Sequence, residues 1–148
     1  MHASELTVTL RNHRSEIARL TALLETFCRN HGVGEDDTLN INLVLDEAVI
    51  NVIAHGYEDA AEHEIDVRLL LEGCRLTIQV ADDGIAYNPL DAPAPRFDLP
   101  IEQRRIGGLG VHIMKALAET LDYRREDDRN HFTITMAVGR DASAVQHA

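Results

Sequence analysis

The chain has 148 residues, 45% of them hydrophobic, with 25 acidic side chains against 14 Lys plus Arg for a formal net charge of -11. That length supports one domain with a single sizeable core and is too short for two ordinary ones. The acidic balance argues against binding to a nucleic-acid backbone, where affinity is carried by clustered cations, and is easier to match to a basic protein partner.

The opening segment MHASELTVTL lacks the basic start and long apolar stretch of a signal peptide. No apolar run approaches the roughly 20 residues needed to cross a bilayer, so the expectation is a cytoplasmic protein with no membrane contact. Leu6, Val8 and Leu10 alternate, which predicts a half-buried strand over residues 5–10. Ile17, Leu20, Leu24 and Phe27 then recur at helical spacing, with Cys28 inside the same pattern, until His31-Gly32-Val33-Gly34 stops the run. Glu35, Asp36 and Asp37 sit where a helix start favours negative charge. From Leu39 to about Ala54, small or apolar residues lie almost all round, which predicts a second helix buried on most sides.

Ile65, Val67, Leu69 and Leu71 alternate, as do Leu76, Ile78 and Val80, which predicts two strands joined across Glu72-Gly73 as a hairpin. Cys74 lies beside that turn. Neither cysteine has a CxxC partner or zinc-like spacing, so both read as reduced, structural thiols. After Asp82 no period survives from Gly84 to Ile106, an interval holding all four prolines, Pro89, Pro93, Pro95 and Pro100. Loops this long are functional or mobile. Gly107, Gly108 and Gly110 open a helix to about Leu121, followed by a strand near Tyr123 and another in which Phe132, Ile134, Met136 and Val138 alternate. Residues 1–139 read as a single domain and 140–148 as a disordered tail. A lone strand, a hairpin and a final strand pair, with helices between, suit an α+β sandwich better than a regularly alternating parallel sheet.

Three clusters carry chemistry. Glu47, Asn51 and His55 stand four apart and project as one stripe from an otherwise apolar helix, where burying such groups without a purpose is costly. A carboxylate with an amide carbonyl also suits magnesium or its waters, although a solvated polar stripe is the simpler reading of an isolated helix. Asp82-Asp83-Gly84 follows directly on a strand. A carboxylate there can accept from an exocyclic amine, and a glycine lets backbone approach a flat ring, though Asp-Gly after a strand is also an ordinary turn. Gly107-Gly108-Leu109-Gly110-Val111 places glycines at a helix start, where free amides and the dipole favour phosphate; helix packing against small residues is the alternative. It is neither a Walker P-loop nor a dinucleotide fingerprint.

In this order, EAVINVIAHGY, DDGIAYNP and GGLGVHIM resemble the N box and the two glycine boxes of the GHKL (histidine-kinase-like) ATPases. The similarity is greatest to the bacterial anti-sigma-factor serine/threonine protein kinases, and it runs from about Leu6 to Val138. The resemblance implies a two-layer α/β sandwich of the Bergerat type, with a mixed, mostly antiparallel sheet and helices on one face. It implies a homodimer that binds ATP and magnesium, holds a sigma factor inactive, and phosphorylates a STAS-domain anti-anti-sigma protein, with no direct nucleic-acid contact. Carried over by residue, it makes Glu47 the general base and Asn51 the magnesium ligand. Asp82 then reads adenine and Gly84 lies against the base. Gly107, Gly108, Leu109 and Gly110 cradle the phosphates, and Arg105 or Arg104 neutralises the terminal phosphate unless both are simply solvated. His55 matches a family position but reads as a packed histidine, and Lys115 as a surface charge. Ala86 stands where the wider superfamily often has a second glycine, and residues 91–103 match poorly.

Two other readings compete, ahead of a non-binding structural domain in which all three clusters would be coincidence. One is an ATP-binding regulatory module that sequesters a partner without kinase activity. The other is the catalytic piece of a sensor histidine kinase, against which the chain offers no helical hairpin with an acceptor histidine ahead of the N box.

Overall fold

The computed structural model describes residues 3–91 and 108–139. The alternations seen in the sequence become rows of side chains running across a five-stranded sheet. Its strands are β1 (Ala3–Arg11), β2 (Glu64–Glu72), β3 (Arg75–Asp82), β4 (Thr120–Glu126) and β5 (Arg129–Ala137), in the order β1-β2-β3-β5-β4. Leu6, Leu69, Ile78, Ile134 and Leu121 form one such row, and Val8, Val67, Val80, Phe132 and Tyr123 the next. The row after it reads Leu10, Ile65, Asp82, Asn130 and Arg125, so three polar residues end a stripe that begins apolar.

Three helices, α1 (Glu16–Asn30), α2 (Glu35–His55) and α3 (Gly108–Leu117), cover these rows. Leu20, Leu24 and Phe27 of α1 are buried, as the helical spacing predicts, with Cys28 beside them. Ile41, Val44, Leu45, Ala48 and Val49 of α2 join the same core, with Val111 and Met114 of α3. Fully burying a residue such as Leu20 or Leu45 contributes about 1.5–3 kcal/mol. The opposite sheet face carries Thr7, Asp66, Arg68, Gln79, His131 and Thr133, in phase with the polar positions of each strand.

The architecture is the expected α+β sandwich, with four differences of detail. All four described strand pairings are antiparallel, so the sheet is not mixed. The physical reason lies in the connections: β2–β3 and β4–β5 are hairpins, and the crossover from β3 to β4 leaves β5 between them. α2 is buried or part-buried over most of its span but leaves one face open, where Leu39 is 59% and Leu43 41% exposed; a two-layer fold has no third layer to cover the outer face of its helices. α3 ends at Leu117 rather than near Leu121, since Glu119 N donates to Thr135 O at 2.8 Å and draws the chain into the sheet. The β2–β3 turn is Gly73-Cys74, one residue later than predicted, with Gly73 in the left-handed region at φ 61°. The β4–β5 turn, Asp127-Asp128, places both residues there, at φ 53° and 61°. Two left-handed central residues are what a two-residue hairpin between twisted strands requires.

Candidate functional site

The site is built where α2 crosses the ends of β3 and β5 and meets the start of α3. The stripe of Glu47, Asn51 and His55 on α2 is graded in burial. Glu47 is half-buried, Asn51 is 2% exposed, and His55 is exposed with its ring stacked on Tyr87 at 4.5 Å between centroids. Burial pushes the Glu47 carboxyl above the usual carboxylate range. The neighbouring Asp46 is pushed up to about 6, first by burial and then by the Glu47 charge. A side chain on Gly110 would place its Cβ 1.8 Å from Glu47 Oε2. The carboxylate of the first cluster therefore rests against the backbone of the third, at the first turn of α3, where helix geometry leaves amides without intrahelical partners.

Asn51 Nδ2 is buried and has no hydrogen-bond partner among the described residues. Leaving a buried donor unpaired is costly, and Nδ2 remains available to an acceptor. It lines a small cavity shared with Asp82, Tyr87, Pro89, Asn130 and Phe132. At about 20 Å³ this space has room for about one water.

Asp82 is 3% exposed, and its Oδ1 accepts from Gly84 N at 2.9 Å. Gly84 has no room for a side chain, because a Cβ would fall 2.2 Å from Gly56 O. That carbonyl, at the end of α2, also accepts from Ile85 N at 2.7 Å and ties the turn to the helix. On the outer side of the turn, His63 Nε2 lies 2.8 Å from Asp59 Oδ1 and Nδ1 lies 3.2 Å from Asp83 Oδ1, with its ring stacked on Tyr57. Hydrogen bonding to Asp59, and then to Asp83, raises the His63 pKa.

The first two sequence clusters thus share one cavity, and the third joins them through Gly110. Gly108 and Leu109 lie in the first turn of α3. Gly107, Arg104 and Arg105 lie outside the described residues, as do residues 92–103 and the tail 140–148. Lys115 is exposed. Both cysteines are free thiols; Cys28 is buried, with its pKa raised by desolvation. Sequence reasoning missed Asn130, whose Nδ2 donates to Asp82 Oδ1 at 3.0 Å and to Ile85 O at 2.7 Å. It also missed Arg125, whose Nη1 donates to Gly84 O at 2.9 Å. A signal for Asn130 was present, since it stands in phase with the buried Phe132, Ile134 and Met136, where a polar residue is out of place.

The fold is an open antiparallel sheet backed by helices, with an acid of one helix against the first turn of a glycine-started second helix. A family model described as the histidine kinase-like ATPase domain matches residues 10–136, and the chain belongs to that family. The serine/threonine-protein kinase BtrW of Bordetella bronchiseptica is 30% identical over 95 residues, covering 64% of this chain and 67% of that protein. The serine-protein kinase RsbW of Bacillus velezensis is 28% identical over 138 residues, covering 88% and 81%. An anti-sigma F factor of Bacillus cereus is 33% identical over 88 residues, covering 59% of this chain and 60% of that protein, less than two thirds of its length. Among solved structures, the RsbU and RsbW domains of a Mycobacterium tuberculosis protein superpose with a TM-score of 0.67 at 20% identity. They cover 94% of this chain, which spans 34% of theirs, and at that identity the likeness establishes the fold alone.

Proposed function

We propose that the chain is an ATP- and magnesium-dependent anti-sigma factor and serine/threonine protein kinase that phosphorylates a STAS-type anti-anti-sigma partner. In this reading it acts in the cytoplasm as a homodimer, through a single ATP-binding domain over residues 1–139, without contacting nucleic acid. The observation that carries the reading is the meeting of Glu47 with Gly110, which sets a half-buried carboxylate at a helix start suited to phosphate. The names of the relatives support the choice of kinase and sigma-factor partner over other uses of the fold.

The donor set fits the nucleotide. Asp82 offers a buried carboxylate to an exocyclic amine, Gly84 leaves the turn without a side chain, and Asn51 Nδ2 is a buried donor without a partner among the described residues. Magnesium bound with ATP would supply positive charge against the charge developing on the phosphates. Asn51 would hold it through the side-chain Oδ1, since Nδ2 can only donate, and the described residues hold no cluster of three or more His, Cys, Asp or Glu. Glu47 accepts the proton of the acceptor hydroxyl, and its raised pKa brings it toward the range useful to a general base. Gly108, Leu109 and Gly110 offer backbone amides to phosphate. Gly107 and Arg105 keep the roles implied by resemblance, the second as a planar cation for the terminal phosphate.

The test is incubation of the purified chain with radiolabelled ATP, magnesium and a STAS-domain protein. Label on a serine or threonine of that protein is expected. Absence of label, together with nucleotide-dependent capture of the partner, would replace the kinase by the sequestering module.

A further inference from the structure

We infer that Asn130, a β5 residue outside all three sequence clusters, is a positioning residue that sets which purine Asp82 accepts. The inference rests on the base-reading role proposed for Asp82. Asn130 is 5% exposed and lies directly opposite Asp82 in the β3–β5 register. Its Nδ2 donates to Asp82 Oδ1 and to Ile85 O. Its Oδ1 accepts from Tyr123 OH at 2.5 Å and from Arg125 Nη1 at 3.1 Å. Both donors and both lone pairs of the amide are therefore engaged.

The amide cannot be turned over. A guanidinium only donates, so the oxygen of Asn130 must face Arg125 and its nitrogen must face Asp82. Two donors, Asn130 Nδ2 and Gly84 N, consequently meet on Oδ1 of Asp82, and no described residue donates to Oδ2. One oxygen is held and the other is left for a ligand. An acceptor fixed in that place pairs with the 6-amino group of adenine and opposes the 6-oxo group of hypoxanthine or guanine, oxygen to oxygen. Without Asn130 the carboxylate keeps one anchor instead of two and can swing aside. Selectivity then falls along with affinity.

The experiment is calorimetric titration of the full chain with ATP and with inosine triphosphate in magnesium, for the wild type, N130A and N130D, with thermal melts alongside. The wild type is expected to prefer ATP. N130A should bind ATP at least about tenfold more weakly and should lose about tenfold in the ATP-to-inosine ratio, the scale of one hydrogen bond to a charged group. A purely structural role would weaken both nucleotides equally and leave the ratio unchanged. N130D keeps an acceptor toward Tyr123 and Arg125 but sets one carboxylate against another, so it needs a shared proton to restore the lost donor. Its ATP affinity relative to the wild type should recover as pH falls from about 8 to about 5.5.

A folded N130A with wild-type selectivity overturns the inference, as does an N130D that tracks the wild type at every pH; the N130D series decides if N130A does not fold. A wild type that fails to distinguish the nucleotides, or binds neither, removes the base-reading role of Asp82 and this inference with it.

Discussion

Glu47 and Gly110 are held so close that a single added carbon on Gly110 would lie 1.8 Å from the Glu47 carboxylate oxygen. The atom in the way is the far end of a flexible side chain, so Gly110→Ala can be accommodated by swinging the carboxylate aside. The fold should survive, with a melting temperature near that of the wild type. Phosphoryl transfer should fall by about 10²-fold or more, since a small misplacement of a reacting group is enough for that. A folded Gly110→Ala with undiminished transfer would separate Glu47 from the chemistry.

Gly84 presents the opposite case. A Cβ there would meet Gly56 O at 2.2 Å and Gly56 C at 2.8 Å, both backbone atoms at the end of α2. No rotamer relieves that clash, so the turn or the helix end must shift, and the Ile85 N to Gly56 O bond is strained with it. Gly84→Ala should cost about 1–3 kcal/mol, the scale of overpacking in a close-packed region, read as a lower urea midpoint at unchanged slope. Stability within about 0.5 kcal/mol of the wild type would show that the turn yields easily.

Glu47 and Asn51 of the α2 stripe should separate kinetically. Glu47→Ala removes a proton acceptor and leaves the buried amide in place, so kcat should fall by about 10²-fold or more while ATP still binds. Asn51→Ala removes the group proposed to hold magnesium and should raise the dissociation constant of the metal-nucleotide pair before it affects anything else. Titrating both variants with ATP, with and without magnesium, checks the split. Loss of nucleotide by Glu47→Ala, or unchanged magnesium dependence in Asn51→Ala, would reverse the roles.

Much of this was legible in the sequence, because the signals were local. The alternation of Ile65, Val67, Leu69 and Leu71 is a property of one strand, and it fixed the core face that the coordinates show. Spacings of four likewise put Glu47, Asn51 and His55 on one stripe. Features that depend on partners far along the chain were not legible. The apolar spacing of Leu117, Ala118 and Leu121 looks helical to its end. Only the bond from Glu119 to Thr135, and the pairing of Thr120 with the same residue, turn it into a strand. The grip of Asn130 on Asp82 depends on register between strands that are distant in sequence. The exposure of Leu39 and Leu43 depends on a missing third layer, which no single-helix pattern reports.

Asp46 supplies a prediction with a definite sign. Its Oδ1 is buried without a partner among the described residues, and its pKa is raised from 3.8 to about 6 by desolvation and the Glu47 charge. A carboxyl whose folded pKa lies above its unfolded value binds more protons in the folded state between the two. The charged form is thus a penalty, absent below about pH 4 and fully present above about pH 6. Partial exposure screens it to on the order of 1–2 kcal/mol. Asp46→Asn keeps the shape and removes the charge, so its stability relative to the wild type should rise as pH increases from 4 to 6 and then level off. Urea unfolding of both proteins at intervals between pH 4 and 8 measures that difference directly. A difference that stays constant with pH, or that grows toward acid, would mean that Asp46 is ionised in the folded protein without cost.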